Sequence, residues 1–169
     1  MPAEHRGLLL TRRGTVMGLW GTVKGWLNIG GVKVDIQDLN QVVPKEGSHI
    51  SGKVVLATKS DKTVTKVTCK FLLKKTTGRG EEKKTKEFVI AQRAVPGPLE
   101  LKAGEERTLD LDLDYSLEKT LKDMGGVLGG VGKLAAFATG EQEEYFVVAQ
   151  ADVKGAALSP SKWVPVTVK

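Results

Sequence analysis

The sequence has few of the residues from which catalytic and ligand-binding sites are usually built. Its one cysteine, Cys69, excludes an internal disulfide and leaves a reducing cytoplasm as the default compartment. His5 and His49 are its two histidines. Aromatic residues make up 5% of the chain, too few for a surface on which nucleic-acid bases stack. We therefore do not expect nucleic-acid binding.

Long apolar stretches are also missing. No segment reaches the roughly 20 apolar residues that a membrane-spanning helix needs. Arg12-Arg13 is similar to a twin-arginine export signal, but the apolar stretch 16–23 is short and ends at Lys24, and no cleavage site of small residues follows. We therefore expect a cytoplasmic protein.

The candidates for catalysis or metal binding fail on inspection. His49 lies in a predicted turn, and Cys69 falls on the inward side of a predicted strand. The run Asp110-Leu-Asp-Leu-Asp114 starts like a calcium loop, but Tyr115 and Leu121 replace the required glycine and glutamate. On a strand these carboxylates stand about 7 Å apart and face solvent. We predict no enzyme, no cofactor and no metal site.

Alternation of apolar and polar residues is the main signal that is present. From Val32 onward it recurs in at least seven segments separated by turn signals such as Pro44–Gly47 and Ser60–Lys62. The segment 145–153 is apolar on both faces, which is typical of a central strand. This pattern predicts an all-β fold, a single antiparallel immunoglobulin-like or arrestin-like β-sandwich over about residues 32–169. The residues predicted to face inward are Val34, Ile36, Val54, Leu56, Val67, Cys69, Phe71, Leu111, Leu113, Val147 and Ala149.

Two segments do not follow the alternation. Residues 1–16 have no clear period and are interpreted as a flexible tail, with Met17 as an alternative start. Helical spacing then predicts a short helix over 18–28 that packs on the sandwich through Trp20 and Leu27. The stretch 116–137 can hold a second short helix beginning at Ser116. The overlapping glycine-rich stretch, 124–140, lacks the strand–turn–helix setting of a nucleotide loop, and we favour a flexible loop over a docking element.

The charge is unevenly spread along the chain. Residues 59–93 carry 11 Lys/Arg and 4 Asp/Glu, a net +7, whereas residues 94–169 carry 8 and 12, a net −4. The basic part coincides with the clearest predicted hairpin, 66–90, which we expect to protrude and to end at Pro96-Gly-Pro98. A charged hairpin can attract an acidic partner, or it can simply be solvated. The candidate partner-binding residues are Lys70, Lys74, Lys75, Arg79, Lys83, Lys84 and Lys86.

The ordered set of strands resembles the arrestin-like fold, and most closely the bacterial sporulation-control proteins of that fold. The resemblance covers roughly residues 18–169 and is carried by an entry strand, a Pro-x-x-Gly turn before an extended pair, a basic hairpin and a late strand. These segments are Ile29–Asp35, Val43–Gly47 with Ile50–Val55, Val64–Leu73 and Tyr145–Gly155. Members of this family usually have two such sandwiches in tandem, and this chain has residues for one. The resemblance implies non-catalytic adaptor work in a sporulation, stress or developmental pathway.

Two functions remain open from the sequence. The first is an adaptor that binds an acidic protein, or an extended peptide at a sheet edge, with the acidic face Asp110, Asp112 and Asp114 as a candidate contact within the chain or in a second copy. The alternative is a peripheral membrane-surface module. In that case Trp20, Val23 and Leu27 insert into the interface and the basic hairpin meets anionic lipid.

Overall fold

The computed structural model describes residues 31–123 and 141–169. The predicted tail 1–16, the helix 18–28 with Trp20, Val23 and Leu27, and the glycine-rich segment 124–140 lie outside these residues. The described elements are β1 (Val32–Gln37), β2 (Val42–Val43), β3 (Ser48–Thr58), β4 (Lys62–Thr77), a 3-10 turn (Gly80–Glu82), β5 (Lys84–Leu101), β6 (Glu106–Tyr115), α1 (Leu117–Asp123), β7 (Gln142–Val153) and β8 (Ser161–Val168).

The strands form two sheets, as predicted. One has the order β1-β3-β6 and the other the order β2-β8-β7-β4-β5. Every pairing is antiparallel except that of the two-residue β2, which runs parallel to the end of β8. Backbone hydrogen bonds from Lys45 to Lys169 and from Lys169 to Val43 tie these distant parts of the chain together. This pairing joins residues more than 120 positions apart, so alternation within each segment could not show it.

The core lies between the two sheets and consists of the residues that alternation selected. All eleven residues predicted to face inward are buried. Phe71 of β4 is fully buried, and its ring meets Tyr115 of β6 edge to face, with centroids 5.0 Å apart. The Tyr115 hydroxyl donates a hydrogen bond to the Pro44 carbonyl at 2.5 Å. Burial of one such aromatic side chain contributes about 1.5–3 kcal/mol to stability.

Strand β7 lies between β8 and β4, which confirms its predicted central place. The short helix expected within 116–137 is present as α1. Its start is marked by Ser116, whose carbonyl accepts bonds from both the backbone and the hydroxyl of Thr120.

The prediction that Pro96-Gly-Pro98 ends the hairpin is wrong. Strand β5 continues through both prolines to Leu101. Proline lacks a backbone donor, but β5 is an edge strand with a neighbour on one side only, which is where sheets tolerate proline. Gly97 lies at a register shift opposite Val64 and Lys66. A Cβ atom there would come within 2.5 Å of the Val64 carbonyl oxygen, so this close approach requires glycine.

Cys69 provides a test of the register. Cys69 is 4% exposed, and burial raises the pKa of its thiol to about 11. We expect slow reaction with a thiol reagent in the native state and fast reaction in denaturant, because the thiolate is scarce and enclosed. Because the chain has one cysteine, total labelling reports this site, and Cys69→Ala is the blank. Rapid native labelling would contradict the register of β4.

Candidate functional site

The predicted basic hairpin exists, but its lysines divide between two faces of the five-stranded sheet. Strand β4 places Phe71 towards the core, so Lys70 and Lys74 point to the opposite, outer face. Lys75 and Lys86 are directly opposite each other on the other face. Lys84 is opposite Thr77 at the end of the hairpin, where Thr77 shares the face of Lys75. Arg79 and Lys83 lie in the connection.

Lys75, one of the expected partner-binding residues, forms ion pairs within the chain. Its side chain is 12% exposed and forms ion pairs with Glu141 and with Glu143, the latter at 3.8 Å. These carboxylates precede and begin β7, which pairs with β4 as far as Thr76. The charge of Lys75 is therefore balanced within the chain. Lys75 and Lys86 are two like charges directly opposite each other, which is unfavourable, and the two glutamates beside Lys75 offset it.

The hairpin also does not stand free over its whole length. Because β7 accompanies β4 to Thr76, only about residues 77–84 extend past the sheet. The acidic face of β6 lies in the other sheet. Within the described residues its ion pairs are with His49 of β3 and Arg93 of β5, and none is with a hairpin lysine. Among the described residues, Lys70, Lys74, Lys83, Lys84 and Lys86 form no ion pair.

A row of apolar residues crosses the outer face beside Lys70 and Lys74. In the register, Leu72 is opposite Val89 on one side and Phe146 on the other, and Phe146 is opposite Pro165. These four residues, called here the apolar stripe, span β8, β7, β4 and β5. Leu72 is 4% exposed, whereas Val89 is 44% exposed. The stripe therefore combines a packed centre with an accessible end.

Trp163 widens the stripe at its β8 end. It is opposite Val148, and its ring packs edge to face against Phe146 with centroids 5.7 Å apart. Trp163 is 39% exposed, so part of the indole faces solvent. Large exposed apolar side chains grouped on one face mark interaction surfaces more often than scattered ones do.

Charged residues line both sides of the stripe. On one side lies Lys70, opposite Val148. On the other side Lys74 lies between Glu144 of β7 and Glu87 of β5. The Lys74 ammonium is 6.0 Å from the centre of the Phe146 ring. The outer face therefore has an apolar centre between two charged borders. One border is basic and contains Lys70, and the other contains Glu144, Lys74 and Glu87, of which two are acidic.

The comparisons with known proteins agree on one family. Residues 24–131, more than half of the chain, match the family described as SpoOM protein, Spo0M. The chain belongs to this sporulation-control family. A solved structure, the sporulation control protein Spo0M from Bacillus subtilis, is similar with a TM-score of 0.59 and 20% sequence identity. The match covers 83% of this chain and 50% of that one, so the chain spans about half the length of the solved relative. No curated protein matches.

Sequence reasoning found Lys70 and Lys74 of this SpoOM-family chain but missed the stripe between and beside them. The signal was present in two apolar triplets, Phe71–Leu73 and Phe146–Val148. Three consecutive apolar residues in a strand place at least one apolar side chain on each face of the sheet. Which residues complete the stripe depends on the pairing of four strands, which alternation within one segment does not give. Among the described helices, none has the length and apolar character to cross a membrane.

Another cluster that sequence reasoning missed lies on the outer face of the three-stranded sheet. His49 is in β3, not in a turn, and is directly opposite Asp114 of β6. Its Nδ1 is 3.0 Å from Asp114 and its Nε2 is 3.0 Å from Asp112. Arg93 of β5 approaches the second oxygen of Asp112 at 3.4 Å. The carboxylates were predicted to face solvent separately, but a histidine on the neighbouring strand connects them.

This cluster supplies one imidazole nitrogen and two carboxylate oxygens that lie within 4.8 Å of one another. Such atoms are ligands for zinc and related cations. All three side chains are exposed, and Arg93 places a positive charge against Asp112. Both imidazole nitrogens face carboxylates, and only a protonated ring can donate to both. The arrangement therefore fits an imidazolium ion pair.

We expect His49 to titrate above its ordinary value. The hydrogen bond to Asp114 is the largest influence and raises its pKa. Desolvation opposes this, the charges of Asp112 and Asp114 raise the pKa further, and the net shift is upward. A raised pKa in the folded state means that the interaction stabilises the fold at low pH and is lost as the pH rises from about 6.5 through the folded pKa.

Histidine proton resonances followed by NMR test this, with His49→Gln assigning the signal and leaving only His5. The loss of stability in His49→Gln, measured by urea unfolding, should be larger at pH 5.5 than at pH 8.5. An equal loss at both pH values, or a His49 pKa at or below the ordinary value, would contradict the ion pair.

Proposed function

We propose that this SpoOM-family chain is a non-catalytic adaptor that binds a protein partner through the outer face of its five-stranded sheet, in a sporulation, stress or developmental control pathway. The observation that carries the proposal is the apolar stripe with Trp163 exposed at one end and Val89 at the other. Tryptophan is enriched among residues that dominate binding energy, and a polar border around an apolar centre is the usual plan of a protein interface.

The non-catalytic part of the proposal rests on the two side chains best suited to chemistry. Cys69 is enclosed in the core with a pKa of about 11, so little thiolate exists at neutral pH. His49 has both ring nitrogens against carboxylates, which favours the charged form over a free base. We place the binding in the cytoplasm, where a lone thiol needs no partner.

The surface replaces the binding role first expected of the whole hairpin. Lys70 borders the stripe and can meet acidic groups. Lys74 lies on the other border between Glu87 and Glu144, and Lys75 is paired with Glu141 and Glu143. Lys83, Lys84 and Lys86 lie near the hairpin end and are secondary candidates. An extended peptide at the edge of β5 is less favoured, since Pro96, Pro98 and a register shift near Ile90 interrupt that edge.

A membrane surface is the second candidate, and one observation favours it. Trp163 shares the outer face with Lys70 and Lys74. Tryptophan and lysine together are typical of the region between lipid headgroups and water. Cosedimentation with phosphatidylcholine vesicles that contain or lack phosphatidylglycerol separates the candidates. Binding that requires the anionic lipid and is lost in Trp163→Ser would favour the membrane over a protein.

For the protein partner we predict that the double variant Trp163→Ser/Val89→Ser loses binding. Partners are captured from the native cytoplasm on immobilised wild-type chain and quantified by mass spectrometry. Loss of one tryptophan contact of about 2 kcal/mol corresponds to roughly 30-fold in affinity, so capture should fall at least tenfold.

The matched control is Val42→Ser/Leu158→Ser, which removes two apolar residues that are 57% and 67% exposed and lie off the stripe. This control should capture like wild type. Circular dichroism and thermal unfolding verify that both variants keep the fold. Undiminished capture by a folded Trp163→Ser/Val89→Ser chain would sink the proposal.

A further inference from the structure

The outer face carries information about the shape of what binds it. This inference rests on the proposed function. The geometry points to an amphipathic α-helix of the partner, about three turns long, that lies across the strands with its apolar side on the stripe. It presents acidic residues to Lys70 and basic residues to Glu87 and Glu144.

The length of the stripe matches a short helix. Its four residues occupy four adjacent strands, β8, β7, β4 and β5. Neighbouring strands are about 4.8 Å apart, so the stripe is roughly 14 Å from Pro165 to Val89. A helix rises 1.5 Å per residue, and about ten residues cover this distance. Residues spaced i, i+3 or i+4, and i+7 then fall on the stripe.

The width of the surface also matches a helix. Residues on one face of a strand repeat about every 6.7 Å, so the stripe and its two charged borders together are about 13 Å wide. A helix with its side chains is about 10–12 Å across and reaches both borders. The three rows therefore fit a helix that lies along the stripe, and a strand-patterned peptide is the control that tests this choice.

The borders supply charge complementarity. Lys70, Glu87 and Glu144 form no ion pair within the part of the chain that the structure describes. Lys74 lies between the two glutamates, with its ammonium near the ring of Phe146, so it only partly offsets them. Charges at the rim of an interface contribute little affinity but fix the orientation of the partner. A helix with one acidic and one basic side places opposite charges against both borders in only one of its two orientations along the stripe.

Trp163 adds a second constraint. Trp163, Val148 and Lys70 lie side by side on β8, β7 and β4. The border that contains Lys70 is therefore basic at β4 and apolar at β7 and β8. The bound helix should therefore be acidic only where it passes β4 and β5, and apolar near Trp163. This unequal border specifies which end of the helix lies over β8.

Synthetic peptides test the inference directly. The main probe is a fluorescein-labelled 14-residue peptide with leucines at helical spacing, glutamates on one side and lysines on the other. One control peptide has the same composition with leucines at alternate positions, which favours a strand. Two further peptides carry only glutamate or only lysine on both sides. Binding is measured by fluorescence anisotropy at about 50 mM and at 500 mM salt.

We expect the mixed helical peptide to bind at least tenfold more tightly than the strand-patterned peptide. It should also bind two- to fivefold more tightly than either single-charge peptide at low salt, with the latter difference lost at high salt. Lys70→Glu should reverse the charge preference, so that the all-lysine peptide binds best. Trp163→Ser/Val89→Ser should abolish binding of every peptide, and Val42→Ser/Leu158→Ser should not affect it.

Several results would overturn the helix. These are no binding of the mixed peptide, equal binding of the strand-patterned peptide, or an unchanged charge preference in Lys70→Glu. Sedimentation that shows a dimer broken by Trp163→Ser/Val89→Ser would make a second copy the occupant instead. If capture of cytoplasmic partners still depends on Trp163 and Val89 while the peptide tests fail, the adaptor function stands and only the helix is rejected. If capture is unchanged as well, both fail.

Discussion

The pairing of β4 with β5 on one side and β7 on the other determines most of this structure. A shift of one residue in β4 would move Phe71 and Cys69 out of the core and bring Lys70 and Leu72 into it. Phe71 opposes this shift most strongly, because it is fully buried between Val147 of β7 and the ring of Tyr115 in the other sheet. The same register that encloses Phe71 therefore aims Lys70, Leu72 and Lys74 outward.

The register of β4 also explains why the outer face is not simply polar. A strand in the middle of a sheet has neighbours on both sides, so apolar residues on its outer face pack against the outer-face residues of both neighbouring strands. Leu72 and Val148 do this and are almost fully buried. At the ends of the row the packing is incomplete, and Val89 and Trp163 remain exposed. Core and surface thus follow from one alternation, and the surface acquires its apolar stripe because two central strands are apolar on both faces.

Sequence alternation was sufficient for the core and insufficient for the contacts between strands. The inward positions were predictable because alternation is a local property, and every one of them, from Val34 to Ala149, is buried. The continuation of β5 through Pro96 depends on β5 being an edge, which is a property of the whole sheet. The contact of His49 with Asp114 joins residues 65 positions apart. The apolar stripe needs three pairings at once, so no single segment could reveal it.

The distribution of charge along the sequence differs from the distribution of charge on the surface of the folded chain. The basic middle and the acidic end of the chain become neighbours when β4 pairs with β7, since Lys66 meets Asp152 at 3.3 Å and Lys75 meets Glu143. Part of the positive charge that suggested a recognition hairpin, on Lys66 and Lys75, therefore pairs strands within the sandwich. What distinguishes Lys70 from Lys75 is its neighbour across the strand, because Val148 offers Lys70 no counter-charge. Lys70 therefore keeps its charge beside apolar residues with no described ion-pair partner, and the proposed recognition surface rests on this position more than on the number of lysines.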